Sequence, residues 1–200
     1  MLLDQDITAS FYKADAEGYF ARTVGTDMSR SYERFLRYVP AGGAILDAGC
    51  GSGRDARCFR EKGYRVTAME PVENLARLAE AHTGQPVLRL RFQQMAFVDE
   101  FDGIWASASL LHVGRSEIEG VFQQMIRALH VGGTWYMSFR RGDDEGIAHG
   151  RFYSNYTLDS LAELLSRFAQ VSILEIWEGE DTRPNRQDIV LVHAIVRRTR

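Results

Sequence analysis

From residue 44 onward, short apolar runs alternate with segments whose apolar residues recur at helical spacing. Strand-like runs fall at 44–48, 64–70, 87–92, 102–107 and 134–139, and helical patterns at 54–62, 72–82 and 116–129 lie between them. Repetition of strand, helix and strand builds a parallel sheet with helices on both faces, an α/β, doubly wound arrangement. Thr157 stands where a helix N-cap belongs, ahead of the amphipathic segment 158–168. Two further β-rich runs, 171–177 and 189–196, are joined by a polar, proline-containing stretch at 178–188. No helical pattern separates these last two, so they are expected to pair antiparallel as a hairpin, which brings the strand count to seven. Upstream, residues 8–39 read as two helices, the second beginning near Asp27 and stopping at Pro40.

Composition narrows the class without naming the chemistry. The chain has 200 residues, 45% hydrophobic and 26% charged, which suits one soluble domain with a full core. A single domain over 1–200 is expected, with the helices of 1–40 preceding a core at 41–200. No stretch approaches the ~20 apolar residues of a membrane-spanning helix. The opening MLLDQDITAS carries two aspartates and no basic region, so a secretory leader is not expected. Cys50 and Cys58 form neither a disulfide framework nor a ligand cluster, consistent with a reducing cytoplasm. A net charge of −3 counts against a large polyanion such as RNA as partner, although arginines could still cluster in space.

The chemistry concentrates in ILDAGCGSGRDARCF, residues 45–59. Gly49, Gly51 and Gly53 follow Asp47 at alternate positions, where a tight turn leaves no Cβ in a ligand's way and the next helix offers free amides. One register of this loop, from Gly51 to Ala56, satisfies G-x-G-x-x-A, a dinucleotide fingerprint. Glu70, at the end of the next strand, can accept hydrogen bonds from both hydroxyls of a ribose, as NAD-binding proteins also require. Two features favour a different cofactor. Only about 90 residues follow the fourth strand, too few for a separate dehydrogenase substrate domain of typical size. The ending, a helix and a hairpin with no third βαβ unit, also departs from paired mononucleotide-binding halves.

Four segments in strict order, ILDAGCGSG, VTAMEP, FDGIWASASLLHV and ALHVGGTWYMSF, resemble the successive motifs of class I S-adenosylmethionine-dependent methyltransferases. The resemblance runs from about Ala44 to Phe139 and is most like the small bacterial enzymes loosely grouped with tellurite-resistance methyltransferases. It implies a Rossmann-like seven-stranded sheet with a reversed C-terminal strand and a helical lid at the N-terminus. Carried over by position, Gly49, Gly51 and Gly53 would pass beneath the methionine part of S-adenosylmethionine, Asp47 would hold the loop, Glu70 would take the ribose and Pro71 would shape the adjoining turn. Gln94 and Met95 fall where the family binds adenine, although many relatives carry an acid there. Ala106 would lend its carbonyl to the cofactor's ammonium group.

The remaining candidates face the acceptor. Tyr12 and Tyr19 lie seven residues apart, about two helical turns. Two readings stand for them: packing against the domain, or a lid over the cofactor with Arg22 meeting its carboxylate, for which an arginine fork is well shaped. His112, just past the fourth strand, could remove a proton from an oxygen or amine nucleophile, or could simply hydrogen-bond its loop. Arg140, Arg151 and Tyr153, in the glycine-rich stretch after the fifth strand, would suit a small anion, carboxylate or phosphonate. Arg141 reads as part of a solvated, mixed-charge loop beside Asp143, Asp144 and Glu145. His130 and His149 are isolated, His82 falls on a helix end, and no metal set is expected. The expected activity is methyl transfer from S-adenosylmethionine to a small-molecule acceptor, leaving S-adenosylhomocysteine. A tRNA or protein methyltransferase, a degenerate binding-only relative and a non-catalytic NAD-binding regulatory protein stand as alternatives.

Overall fold

The computed structural model describes residues 4–183, 186 and 188–200. Residues 184, 185 and 187, within the polar connection expected at 178–188, and residues 1–3 of the opening stretch lie outside the described residues.

Seven strands form one sheet: β1 (Ala44–Ala48), β2 (Arg65–Met69), β3 (Val87–Leu88), β4 (Phe101–Ala106), β5 (Leu129–Arg140), β8 (Val171–Glu180) and β9 (Val190–Arg198). Their spatial order is β3-β2-β1-β4-β5-β9-β8. The first four pairings are parallel, and β9 runs antiparallel to both β5 and β8. The doubly wound sheet with a reversed C-terminal pair is therefore as expected. Strand order reverses between β1 and β4, and at such a switch point an open α/β sheet leaves a crevice beyond its carboxyl edge.

Alternation along the central strands divides the core in two. Ile104 and Ala106 of β4, with Trp135, Met137 and Phe139 of β5, face one apolar layer together with α6 (Arg115–Ala128) and α7 (Leu158–Ser166). Trp105 and Tyr136, the residues between, face the other side and stack on each other with centroids 4.0 Å apart. Phe35 of α3 (Ser29–Leu36) and Phe59 of α4 (Arg54–Glu61) close over them. Thr157 caps α7 as expected, its hydroxyl accepting from the Ser160 amide at 3.1 Å. α5 (Glu73–Thr83) ends at Gly84 in the left-handed conformation usual for such a terminus.

Three local differences from the sequence reading matter for the site. The N-terminal region forms three helices rather than two: α1 (Asp4–Ala14), α2 (Ala16–Thr23) and α3, with a break at Asp15. The third strand is two residues long, and its expected continuation folds instead into a 3-10 turn at Phe92–Gln94. The stretch after β5, read as a loop, pairs into a second, two-stranded sheet of β6 (Glu145–Ala148) and β7 (Arg151–Ser154).

Candidate functional site

The crevice beyond β1, β2, β3 and β4 is a pocket of about 800 Å³ including its open mouth. Its floor is the β1–α4 loop with Gly49 and Gly51, and one wall is Glu70, Pro71 and Val72 after β2. Arg91, Phe92 and Gln93 after β3, and Ala108, Ser109, His112 and Val113 after β4, form the other walls. The roof is Thr8, Ala9 and Tyr12 of α1 with Tyr19 of α2.

The floor depends on glycine. Gly49 has φ +80°, and a Cβ there would sit 2.6 Å from the Ser109 Cβ. Gly51, at φ +54°, lies against the Tyr19 ring, 3.2 Å from where its Cβ would be. Both positions are left-handed backbone that L side chains adopt only with strain. Gly53 does not line the pocket; it is the left-handed N-cap of α4, packed on Ala79 and Thr83 of α5. Ser109 ties the floor to the β4 side by donating its hydroxyl to the Ala48 carbonyl at 2.7 Å.

Glu70 is buried at the pocket wall and accepts from the Gly51 amide at 3.1 Å and the Val72 amide at 3.0 Å. Burial pushes its carboxyl up to about 7, against the pull of those two amides. Asp47 is buried under the loop with Oδ2 unpartnered, and burial together with neighbouring Asp55 holds its carboxyl well above the usual carboxylate range. Asp55 itself is kept ionised by the donors around it. Arg54 grips it through Nε and Nη2 at 2.6 and 2.9 Å, the Trp105 indole donates at 2.8 Å and the Tyr32 hydroxyl also donates. Sequence reading passed over Arg54 and Asp55, because their partners Tyr32 and Trp105 stand 23 and 50 residues from Asp55.

At the far wall, His112 bridges the roof to β7. Its Nδ1 lies 2.6 Å from the Phe152 carbonyl, which can only accept, so Nδ1 carries the proton and Nε2 presents its lone pair. The Tyr12 hydroxyl, 3.0 Å away, donates to that lone pair. Burial and nearby Arg151 push the imidazole down to about 4, against the Phe152 hydrogen bond, so the ring is neutral near pH 7. The Tyr12 phenol is pushed up by burial beyond its ordinary range. Arg151, itself buried, places Nη1 3.4 Å from the Tyr12 hydroxyl. Tyr153 is buried with its ring 5.1 Å from that of His112, and the Arg140 guanidinium carbon lies over the same Tyr153 ring, 4.8 Å from its centroid.

Several expected contacts fall elsewhere. Arg22 is an exposed side chain bonded to Asp15 at 2.5 Å and does not line the pocket, because the break between α1 and α2 turns its helix face outward. Gln94 is exposed and closes its 3-10 turn by accepting from the Arg91 amide at 2.9 Å, while Met95 is buried in the core. Their places at the pocket are taken by Phe92 and Gln93, and the Gln93 Nε2 is a buried donor without a partner among the described residues. Ala106 is likewise enclosed in β4; the residue at the pocket is Ala108, held at φ +48° with its amide donated to the Ser138 hydroxyl at 2.8 Å. Arg141 pairs with Glu178 at 3.4 Å on the surface.

Residues 46–137 match the family model described as a methyltransferase domain. The malonyl-[acyl-carrier protein] O-methyltransferase of Pectobacterium atrosepticum is 32% identical over 102 residues, 46% of this chain and 40% of that protein. The chain thus spans less than half the length of that curated relative. Among solved structures, the 1,6-didemethyltoxoflavin-N1-methyltransferase of Burkholderia thailandensis, with 1,6-didemethyltoxoflavin and S-adenosylhomocysteine bound, superposes with a TM-score of 0.81 at 22% identity, over 98% of this chain and 88% of that one. A TehB-like methyltransferase from Corynebacterium glutamicum gives 0.70 at 21% identity, over 92% and 98%. The chain therefore has the fold of these solved structures, and residues 46–137 within it are similar to the methyltransferase domain family.

Proposed function

We propose that the protein is an S-adenosylmethionine-dependent methyltransferase that passes the methyl group to a small-molecule acceptor by in-line displacement. The observation that carries this reading is the enclosure of one pocket between a glycine floor, a buried ribose-type acid and a tyrosine roof that ends on a neutral histidine. Its fit to the cofactor rests on three features: the floor that a Cβ would fill at Gly49 and Gly51, the buried Glu70 carboxylate, and the unpartnered Gln93 donor.

In this reading Glu70 would hold the ribose through its hydroxyls, and Gln93 and Phe92 would hold the adenine. The loop at Gly49 and Gly51 would hold the methionine portion, with Asp47 and the Arg54–Asp55 pair fixing the loop from below. The bound sulfonium supplies an already activated methyl group. The protein's task is then alignment and exclusion of water. Tyr12 and Tyr19 act as a lid, held by a Phe152 amide that donates to the Thr8 hydroxyl at 2.9 Å and by an Arg91–Asp6 pair at 2.9 Å. His112 Nε2, in the tautomer fixed by Phe152, accepts the proton released from the acceptor once Tyr12 yields its place.

Calorimetry with S-adenosylhomocysteine and NAD in parallel tests the reading. Binding of the first and none of the second is expected. NAD binding with no response to S-adenosylhomocysteine would overturn it.

A further inference from the structure

Arg151 is 7% exposed, yet among the described residues no carboxylate lies within ion-pair distance of it. Other sheltered arginines differ. The side chains of Arg54, Arg183 and Arg198 are 18%, 25% and 16% exposed, and they pair with Asp55, Asp181 and Asp99 respectively. Arg151 is held instead by aromatic rings, with its guanidinium carbon 4.6 Å from the centroid of Phe11, 5.7 Å from Tyr12 and 5.3 Å from Tyr153. Ring faces stabilise a cation without consuming its N–H donors. The donors accordingly stay underused: Nε is buried without a partner, and Nη1 makes one long contact, at 3.4 Å, to the Tyr12 hydroxyl. A guanidinium taken out of water in this way is costly until an anion meets it, and its planar fork fits two oxygens of one group.

The position of this cation decides what the anion belongs to. Arg151, Tyr12 and His112 form one continuous chain, Nη1 to hydroxyl to Nε2, and the last two line the pocket. Over the glycine floor, where the cofactor's own carboxylate would lie, stands Tyr19, and the cations acting on it are Arg54 and Arg183. Both of those arginines are held by aspartates, Arg54 by Asp55 and Arg183 by Asp181, whereas Arg151 has no such partner among the described residues.

We propose that Arg151 is a specificity-determining residue of the acceptor subsite, and that the acceptor carries a compact oxyanion, a carboxylate or phosphonate, beside the atom that receives the methyl group. This rests on the methyltransferase reading and deepens it. Charge at this point would discriminate anionic acceptors from neutral isosteres of the same shape, because a neutral group leaves the guanidinium unpaired.

The test uses the whole protein saturated with S-adenosylhomocysteine and titrated calorimetrically with benzoate, phenylphosphonate and benzamide. At least one anion is expected to bind about tenfold or more tightly than benzamide. Arg151→Gln should erase that preference and leave S-adenosylhomocysteine affinity within about twofold. Arg151→Lys, which keeps the charge but not the fork, should weaken the anion by a smaller factor and likewise spare the cofactor product; it carries the test if the glutamine variant does not fold. Equal binding of benzamide, anion affinity unchanged in both variants, or no binding of either anion overturns the proposal. Parallel loss of S-adenosylhomocysteine and anion binding also overturns it, by assigning Arg151 to the cofactor. A wild-type protein that fails to bind S-adenosylhomocysteine at all sinks the methyltransferase reading itself, a result distinct from these.

Discussion

At the β1–β2 end of the pocket the wall is largely backbone: two left-handed glycines, their amides, and one acid reached within about 20 residues of the loop. At the opposite end it is made by side chains, Tyr12 of α1 and His112 of the turn after β4, with Arg151 of β7 behind Tyr12. Backbone at a switch point is placed by the fold itself, so the first end is constrained wherever the fold is built. Side chains from three distant segments are free to change with the molecule to be recognised. The first end is therefore suited to a fixed cofactor and the second to a particular acceptor.

The sharpest way to break this contrast is Gly49→Val. Its Cβ would collide with Ser109 and a branched side chain would be forced into φ +80°, so S-adenosylhomocysteine affinity should fall by about 100-fold or more in calorimetry. Near-native affinity would show that the floor is not rigid.

A smaller effect is expected from Glu70→Gln, about tenfold to 100-fold weaker binding of the same ligand. The pH dependence sharpens it. Ribose hydroxyls donate to the ionised carboxylate, so binding should release a proton, and wild-type affinity should rise with pH toward about 7 and level off above it. The glutamine variant should lose that slope. The same raised value means that the folded chain holds a proton the unfolded chain has lost between 4.5 and about 7, so Glu70 draws stability down as pH rises through that window. His112 acts with the opposite sign. Between 6.5 and about 4 the unfolded chain takes up a proton that the buried ring refuses, so its contribution to stability falls as pH drops. Thermal melts of His112→Asn should show a flatter acid limb than the wild type.

The smallest effect is assigned to the acceptor end. Tyr12→Phe removes one hydrogen bond to His112 and should change S-adenosylhomocysteine affinity by no more than about threefold. It should alter methyl transfer more than binding, measured with labelled cofactor. An equal loss in both would erase the division between the two ends.

Legibility in the sequence follows the same division. Gly49, Gly51, Glu70 and Pro71 are local in the chain, lie directly after apolar strands and line the pocket. The β6–β7 pair was not legible, because each strand is only four residues long and the pairing is completed by contacts with α1 and the turn after β4. Gln94 and Met95 gave way to Phe92 and Gln93 because a three-residue turn, unlike a strand, resets which side chain faces the crevice. Arg22 lost its expected place through the break at Asp15, which no glycine or proline marks. The antiparallel ending was legible because the absence of a helical pattern between two β-rich runs leaves little else that they can do.

The bond from the Phe152 amide to Thr8 spans 144 residues. During synthesis α1 leaves the ribosome before nearly every residue it will cover, and its last anchor emerges only after β5 is complete. The roof is thus the last part of the site to form and, since its contacts close so long a loop, a natural first part to open. Exchange of cofactor and acceptor through a lifted α1 would leave the seven-stranded sheet undisturbed.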